Sequence, residues 1–162
     1  MTQKSEAMKG NITPEMEDVA KNENIDVNKL VTLIADGKVV IPKNVNSDVK
    51  ACGIGEGLTT RINANIGSSS KIDDLDLEIN KAKLAVEYGA DAIMDLSTGS
   101  DLKLFRKKIM EAIDVCIGTV PIYEAGVVTL SKNKEIIDMD PNDIFKAIEN
   151  QAREGVDFMT LH

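Results

Sequence analysis

The chain has no Trp, only 3% aromatic residues, one His and two Cys. So few aromatic side chains cannot build a platform on which bases stack. The charge balance points the same way: 27 acidic residues against 19 basic give a net charge of −8, a field that repels a phosphate backbone. Together they exclude nucleic acid as a partner. A single His leaves no room for a histidine-rich metal centre, and no Ser-His-Asp or Cys-His pairing can be built from the spacings. Cys52 and Cys116 stand far apart with no neighbouring His, which is neither a zinc spacing nor a disulfide framework, so they read as free or buried thiols. No apolar run approaches the ~18 residues that span a bilayer, and the opening MTQKSEAMKGNITPE lacks the apolar core of a signal peptide. The expectation is a cytoplasmic protein with no membrane contact.

What is present is the makings of a core: 43% of the 162 residues are hydrophobic. Thr13, Pro14 and Glu15 read as N-cap, first helical position and first-turn acid of a short helix reaching about Asn22. Asp26 caps a second helix with an apolar face of Leu30, Leu33 and Ile34, ended by Gly37. Lys38 to Ile41 reads as a short strand closed by Pro42, and Gly53, Gly55 and Gly57 (GIGEG) as a turn, because they lack the spacing and setting of a dinucleotide loop.

From residue 61 a short apolar run followed by an amphipathic helix recurs to the end. Strands are predicted at 61–66, 91–96, 115–120 and 157–162. Leu75, Ile79, Ala82 and Val86 give one helix its apolar face, and Leu102, Phe105, Ile109 and Ile113 the next. A third, about 141–154, opens with Asp140 and Pro141 and carries Ile144, Ile148 and Ala152 on one face. Such a βα rhythm implies a parallel sheet, either doubly wound or part of a barrel. A closed barrel needs about 250 residues and eight strands. This chain offers four and stops inside the last, so the expectation is a piece of a longer protein. Residues 1–57 read as a helical and strand N-terminal segment and 58–162 as the barrel part.

In parallel α/β folds ligands gather at the carboxyl ends of strands. The groups there are Asn63 and Asn65, then Met94 and Asp95, then Thr119 and Tyr123, then Thr160 and His162. GSSS at 67–70 and STGSD at 97–101 could each present N–H groups and hydroxyls to an anion, although their plainer reading is helix capping. The plainer reading of Met94 is core filler and that of Tyr123 a half-buried anchor.

The strings TTRINANIGSSS, YGADAIMDLSTGSDL, IGTVPIYEA and REGVDFMTLH, in this order, resemble the hallmark segments of the phosphomethylpyrimidine synthase (ThiC) family, as do NITPEME and VVIPKN nearer the start. The resemblance implies a (β/α)8 TIM-type barrel, of which this chain holds about the first four βα units. It further implies a radical S-adenosylmethionine lyase of thiamine biosynthesis, rearranging 5-aminoimidazole ribotide into 4-amino-5-hydroxymethyl-2-methylpyrimidine phosphate. By the same resemblance the implied cofactors are a [4Fe-4S] cluster, S-adenosylmethionine and zinc, with an electron donor as partner and a homodimer as assembly. The substrate-contacting positions carried over are Asn65, Met94, Tyr123 and His162. The family's three-cysteine cluster motif and its two downstream metal-binding histidines are absent from these residues. Two other readings stay open: a 5-hydroxybenzimidazole synthase acting on the same ribotide for cobamide synthesis, and a non-catalytic ribotide-binding fragment.

Overall fold

The computed structural model describes residues 2–162, which divide into two compact units. One comprises the residues up to Lys43 together with Lys50–Arg61, the other Asn44–Val49 together with Ile62–His162. Among the described residues no helix is long and apolar enough to cross a membrane.

The first unit is built on three helices, α1 (Gln3–Ala7), α2 (Pro14–Glu23) and α3 (Val27–Ala35). Thr13 Oγ1 accepts the Met16 N–H at 3.3 Å and Asp26 Oδ1 the Lys29 N–H at 2.9 Å, each occupying an amide that the helix start leaves open. Met16, Val19, Leu30, Ile34 and Val39 form the centre of its core. GIGEG is more than a turn: Ile54–Gly55 forms a strand, β2, paired antiparallel with β1 (Val39–Val40). Glu23, at the end of α2, accepts the Thr59 N–H at 2.8 Å and pairs with the Arg61 guanidinium, fastening the returning segment to the helices.

The second unit is an α/β structure around four parallel strands, β3 (Asn63–Ile66), β4 (Ala92–Asp95), β5 (Cys116–Thr119) and β6 (Phe158–Met159). They lie side by side in chain order, without the reversal that marks the switch point of a doubly wound sheet. The connecting helices are α4 (Leu75–Glu87), α5 (Leu102–Ala112), α6 (Pro121–Ser131) and α7 (Pro141–Glu154). β6 is shorter than the predicted 157–162: beyond Met159 one more ladder bond forms, Thr160 N–H to Thr119 O at 2.9 Å. Helix α6 escapes a search for periodicity because Ile122, Val127, Val128 and Leu130 spread its apolar residues around the axis, and Gly126 interrupts it. The buried stripe of α7 also differs from the predicted one. Ala147 and Gln151 are buried, Ile144 and Ile148 half-buried, and Ala152 is exposed.

Alternation along the strands separates two sheet faces. Ala64, Ile66, Ile93 and Ile117 share a core with Ile79, Ala82, Val86 and Ile109 of α4 and α5. The opposite face carries Asn63, Asn65, Met94, Gly118 and Phe158, whose register partners run straight across as Asn65↔Met94, Met94↔Gly118 and Gly118↔Phe158.

At the far end of the sheet one device occurs twice. Gly89-Ala90-Asp91 follows α4 and Gly155-Val156-Asp157 follows α7. Each glycine has positive φ (93° and 104°), and the residue after it donates back into the helix, Ala90 to Ala85 O at 2.9 Å and Val156 to Gln151 O at 3.1 Å. Each aspartate then accepts an N–H from the start of the preceding strand, Ile62 at 2.8 Å and Ile117 at 2.9 Å. The repeat sets where β4 and β6 begin, and so which residues reach their carboxyl ends.

Candidate functional site

The sheet face away from the helices offers a row of unlike side chains at the carboxyl end of the strands. Asn65 is exposed and accepts from Asn63 Nδ2 at 3.3 Å, while Met94 beside it is half-buried. Gly118 supplies the space for the next member: a Cβ there would lie 2.2 Å from Cε2 of the Phe158 ring. The row therefore runs amide, thioether, open backbone, aromatic ring. Such a surface can hydrogen-bond a polar ring substituent while walling an apolar edge.

Of the four residues singled out in the sequence, Asn65 and Met94 are direct register neighbours. Tyr123 lies in the first turn of α6, 38% exposed, its N–H donating to Val120 O at 2.9 Å. His162 is exposed, three residues beyond the paired end of β6. The structure thus joins two of the four and places the other two on separate elements that continue from the same strand ends.

The loops GSSS and STGSD are bound to each other. Ser68 N–H donates to Ser97 Oγ at 3.0 Å, Ser97 Oγ donates to Asp95 Oδ1 at 2.5 Å, and Thr98 N–H donates to Ser68 O at 2.8 Å. The Ser100 hydroxyl and N–H both donate to Asp73 Oδ2, and these bonds, the hydroxyl's first, hold Asp73 below its ordinary pKa. The caps of α4 and α5 are Asp74, accepting Leu77 N–H at 3.0 Å, and Asp101, accepting Leu104 N–H at 3.0 Å. Aspartates therefore do the capping expected of Ser and Thr. An anion here would displace or face four carboxylates, Asp73, Asp74, Asp95 and Asp101, so these loops shape the strand ends without forming a phosphate cradle.

Behind the strand ends lies a polar network that sequence reasoning missed. Arg106 of α5, 3% exposed, donates from Nε to Glu154 Oε2 at 2.8 Å, and its guanidinium stands 3.1 Å from Glu124 Oε2. Gln151 bridges the rest: its Nε2 donates to Glu124 Oε2 and its Oε1 accepts from Thr119 Oγ1, both at 2.6 Å. A signal existed. Arg106 falls on the same stripe as Leu102, Phe105 and Ile109, and Gln151 on that of Ile144, Ala147 and Ile148, and a polar residue on an apolar stripe must have a partner.

Burial pushes Asp95 above the ordinary 3.8, against the opposing pull of its Ser97 bonds and the Arg106 charge. A carboxyl that binds its proton more tightly folded than unfolded favours the folded state at low pH. Stability is then lost as pH rises from the ordinary value through the raised one. Asp95→Asn, whose amide oxygen still accepts from Ser97, should remove this decline. Unfolding free energy measured from pH ~4 to neutrality should fall less steeply in the variant, and equal slopes would refute the assignment.

Among the described residues no group of three or more His, Cys, Asp or Glu is gathered to hold a metal ion. Cys116 is buried within β5 and Cys52 is half-buried in the other unit, so the thiols present do not fit the ligand set of an iron–sulfur cluster.

Comparison with known proteins matches residues 2–162 to the radical SAM ThiC family. The chain is 62% identical over 162 residues to phosphomethylpyrimidine synthase 2 of Methanothermobacter thermautotrophicus. It is 59% identical to phosphomethylpyrimidine synthase 1 of Methanosphaera stadtmanae and 57% identical to the phosphomethylpyrimidine synthase of Methanocaldococcus jannaschii. Each match covers 100% of this chain and 38% of the relative.

Proposed function

This chain belongs to the radical SAM ThiC family, and on that premise we propose that it is the N-terminal, ribotide-binding part of a phosphomethylpyrimidine synthase. The reaction would convert 5-aminoimidazole ribotide into 4-amino-5-hydroxymethyl-2-methylpyrimidine phosphate. The observation that carries the reading is the 62% identity across all 162 residues, strand-end segments included. In this reading the four strands, laid in chain order, are the first half of a (β/α)8 barrel, and the face bearing Asn65 and Met94 turns toward its axis. Asn65, Tyr123 and His162 donate or accept hydrogen bonds to the ribotide, and Met94 supplies an adaptable apolar wall. A [4Fe-4S] cluster and S-adenosylmethionine would supply the radical chemistry. The residues here do not fit the cluster, and the division of labour follows: this part binds and orients substrate, and the cluster ligands come from the remaining length that the relatives possess.

The test is anaerobic turnover by the complete protein, with its cluster reconstituted, on the ribotide plus S-adenosylmethionine and a reductant. The expected product by mass spectrometry is the pyrimidine phosphate; hydroxybenzimidazole, or no product, would overturn the reading. Within that assay Asn65→Ala should lower kcat/KM by roughly 10- to 100-fold, the range for losing one hydrogen bond from a desolvated site.

A further inference from the structure

Helix α6 begins immediately after β5. Thr119 ends the strand, Val120 is the N-cap and Pro121 the first helical residue. That short connection places Tyr123 near the strand ends but does not fix the direction of the turn that bears it. Val120 gives no side-chain cap, whereas α2, α3, α4, α5 and α7 are each held at their starts by a threonine or aspartate. What holds the first turn of α6 is instead the residue next to Tyr123. Glu124 accepts from Gln151 Nε2 at 2.6 Å and is ion-paired with the Arg106 guanidinium, whose Nη2 lies 3.1 Å away, while Gln151 also takes the Thr119 hydroxyl of the adjoining strand. Arg106 is in turn fixed by Glu154 of α7 at 2.7 Å.

We propose that Arg106 is the positioning residue for Tyr123: by tying Glu124 to α5 and α7 it sets the first turn of α6 and directs the phenol toward bound ribotide. The inference rests on the substrate role proposed above for Tyr123. Arginine suits the task because its Nε makes a directed bond to Glu154 while the delocalised charge on its far nitrogens still faces Glu124, a pairing that a lysine ammonium, a single point charge, does not reproduce.

The experiment uses the complete synthase in five forms: wild type, Arg106→Lys, Glu124→Gln, Tyr123→Phe and the double Arg106→Lys/Tyr123→Phe. Arg106→Lys should raise the KM for the ribotide about fivefold with kcat within about twofold, and the double variant should be no worse than Tyr123→Phe alone, because residues acting through one contact are non-additive. Hydrogen exchange in peptides covering the first turn of α6 should quicken in Arg106→Lys without ligand, while β4 keeps its protection. Glu124→Gln keeps an oxygen for Gln151 but loses the charge facing Arg106. It should act in the same direction and carries the test if Arg106→Lys fails to fold. Additive losses in the double variant, or unchanged exchange in α6, would overturn the positioning step alone. A Tyr123→Phe enzyme with wild-type KM would bring down the substrate role of Tyr123 and the proposal with it.

Discussion

Gly67→Ala is expected to lower the stability of the protein by about 3 kcal/mol or more, combining backbone strain with overpacking. Gly67 follows β3 with φ of 152°, a conformation that residues with a side chain rarely adopt, and a Cβ there would lie 2.6 Å from Leu96 C and 2.7 Å from Ser97 N. Both obstructing atoms are backbone, so relief requires moving the chain after β4. That chain is held by Leu96 N–H to Ile66 O at 2.9 Å and by Ser97 with Ser68 N–H at 3.0 Å. Gly67 N–H also donates to Glu78 Oε2 at 2.8 Å, and Glu78, fully buried in α4, has its other oxygen against Lys81 at 2.5 Å. A shift at Gly67 would therefore leave a buried carboxylate without an amide donor. Gly57→Ala is the control, because Gly57 also has positive φ (79°) but nothing within 4 Å of an added Cβ. It should cost about 1 kcal/mol, the conformational penalty without the clash. Urea denaturation followed by far-ultraviolet circular dichroism separates the two. Equal midpoints would mean that the crossing between the two loops tolerates more movement than the geometry allows.

How far the sequence announced this structure differs from element to element, for physical reasons. Helix α2 was legible from its start signal, Thr13 and Pro14, and α3, α4, α5 and α7 because each joins a start signal to an apolar face at helical spacing, as with Asp140 and Pro141. Helix α1 was not, since five residues are too few to show a period. Helix α6 was not either, its only clear signal being Pro121 in the first position after a strand. The strands were found with frayed ends, because an apolar run marks a buried segment and not where ladder pairing stops; Leu161 continues the run after β6 has ended. Asn65 and Met94 were legible as strand-end residues, but their pairing across β3 and β4 is a matter of register. Register is set at the opposite end of the sheet, where Asp91 takes the Ile62 N–H. The buried network was hidden because a hydrophobic count over α5 or α7 averages over the one polar residue on the stripe. Arg106 and Gln151 look like surface residues until the helix is given a phase.

Removing the hub of that network has the second large expected effect. Arg106→Met should destabilise the protein by about 3 kcal/mol, the low end of the cost of leaving a buried charge without its partner, because the side chains of Glu124 and Glu154 stay 20% and 22% exposed. Methionine fills the space of the stem, so cavity formation contributes little and the loss is mainly electrostatic. Glu154 and Glu124 then face each other across the vacated guanidinium, both drawn in by contacts that persist: Lys103 lies 3.6 Å from Glu154 Oε1, and Gln151 still donates to Glu124. The triple variant Arg106→Met/Glu124→Gln/Glu154→Gln removes the stranded charges along with the cation and should recover most of the loss, to within about 1.5 kcal/mol of the wild type. Thermal or chemical denaturation of the two variants is sufficient to decide. If the triple is as unstable as the single, the network matters through its hydrogen-bond geometry and not through charge balance. If Arg106→Met costs less than about 1 kcal/mol, Arg106 is not desolvated in solution. On the positioning role proposed for Arg106, recovery of stability should not restore ribotide affinity, because Glu124→Gln has lost the charge that faces the guanidinium. A triple variant that is stable yet binds ribotide weakly would separate the two roles proposed for one buried arginine: neutralising the carboxylates beside it, and aiming the tyrosine next to one of them.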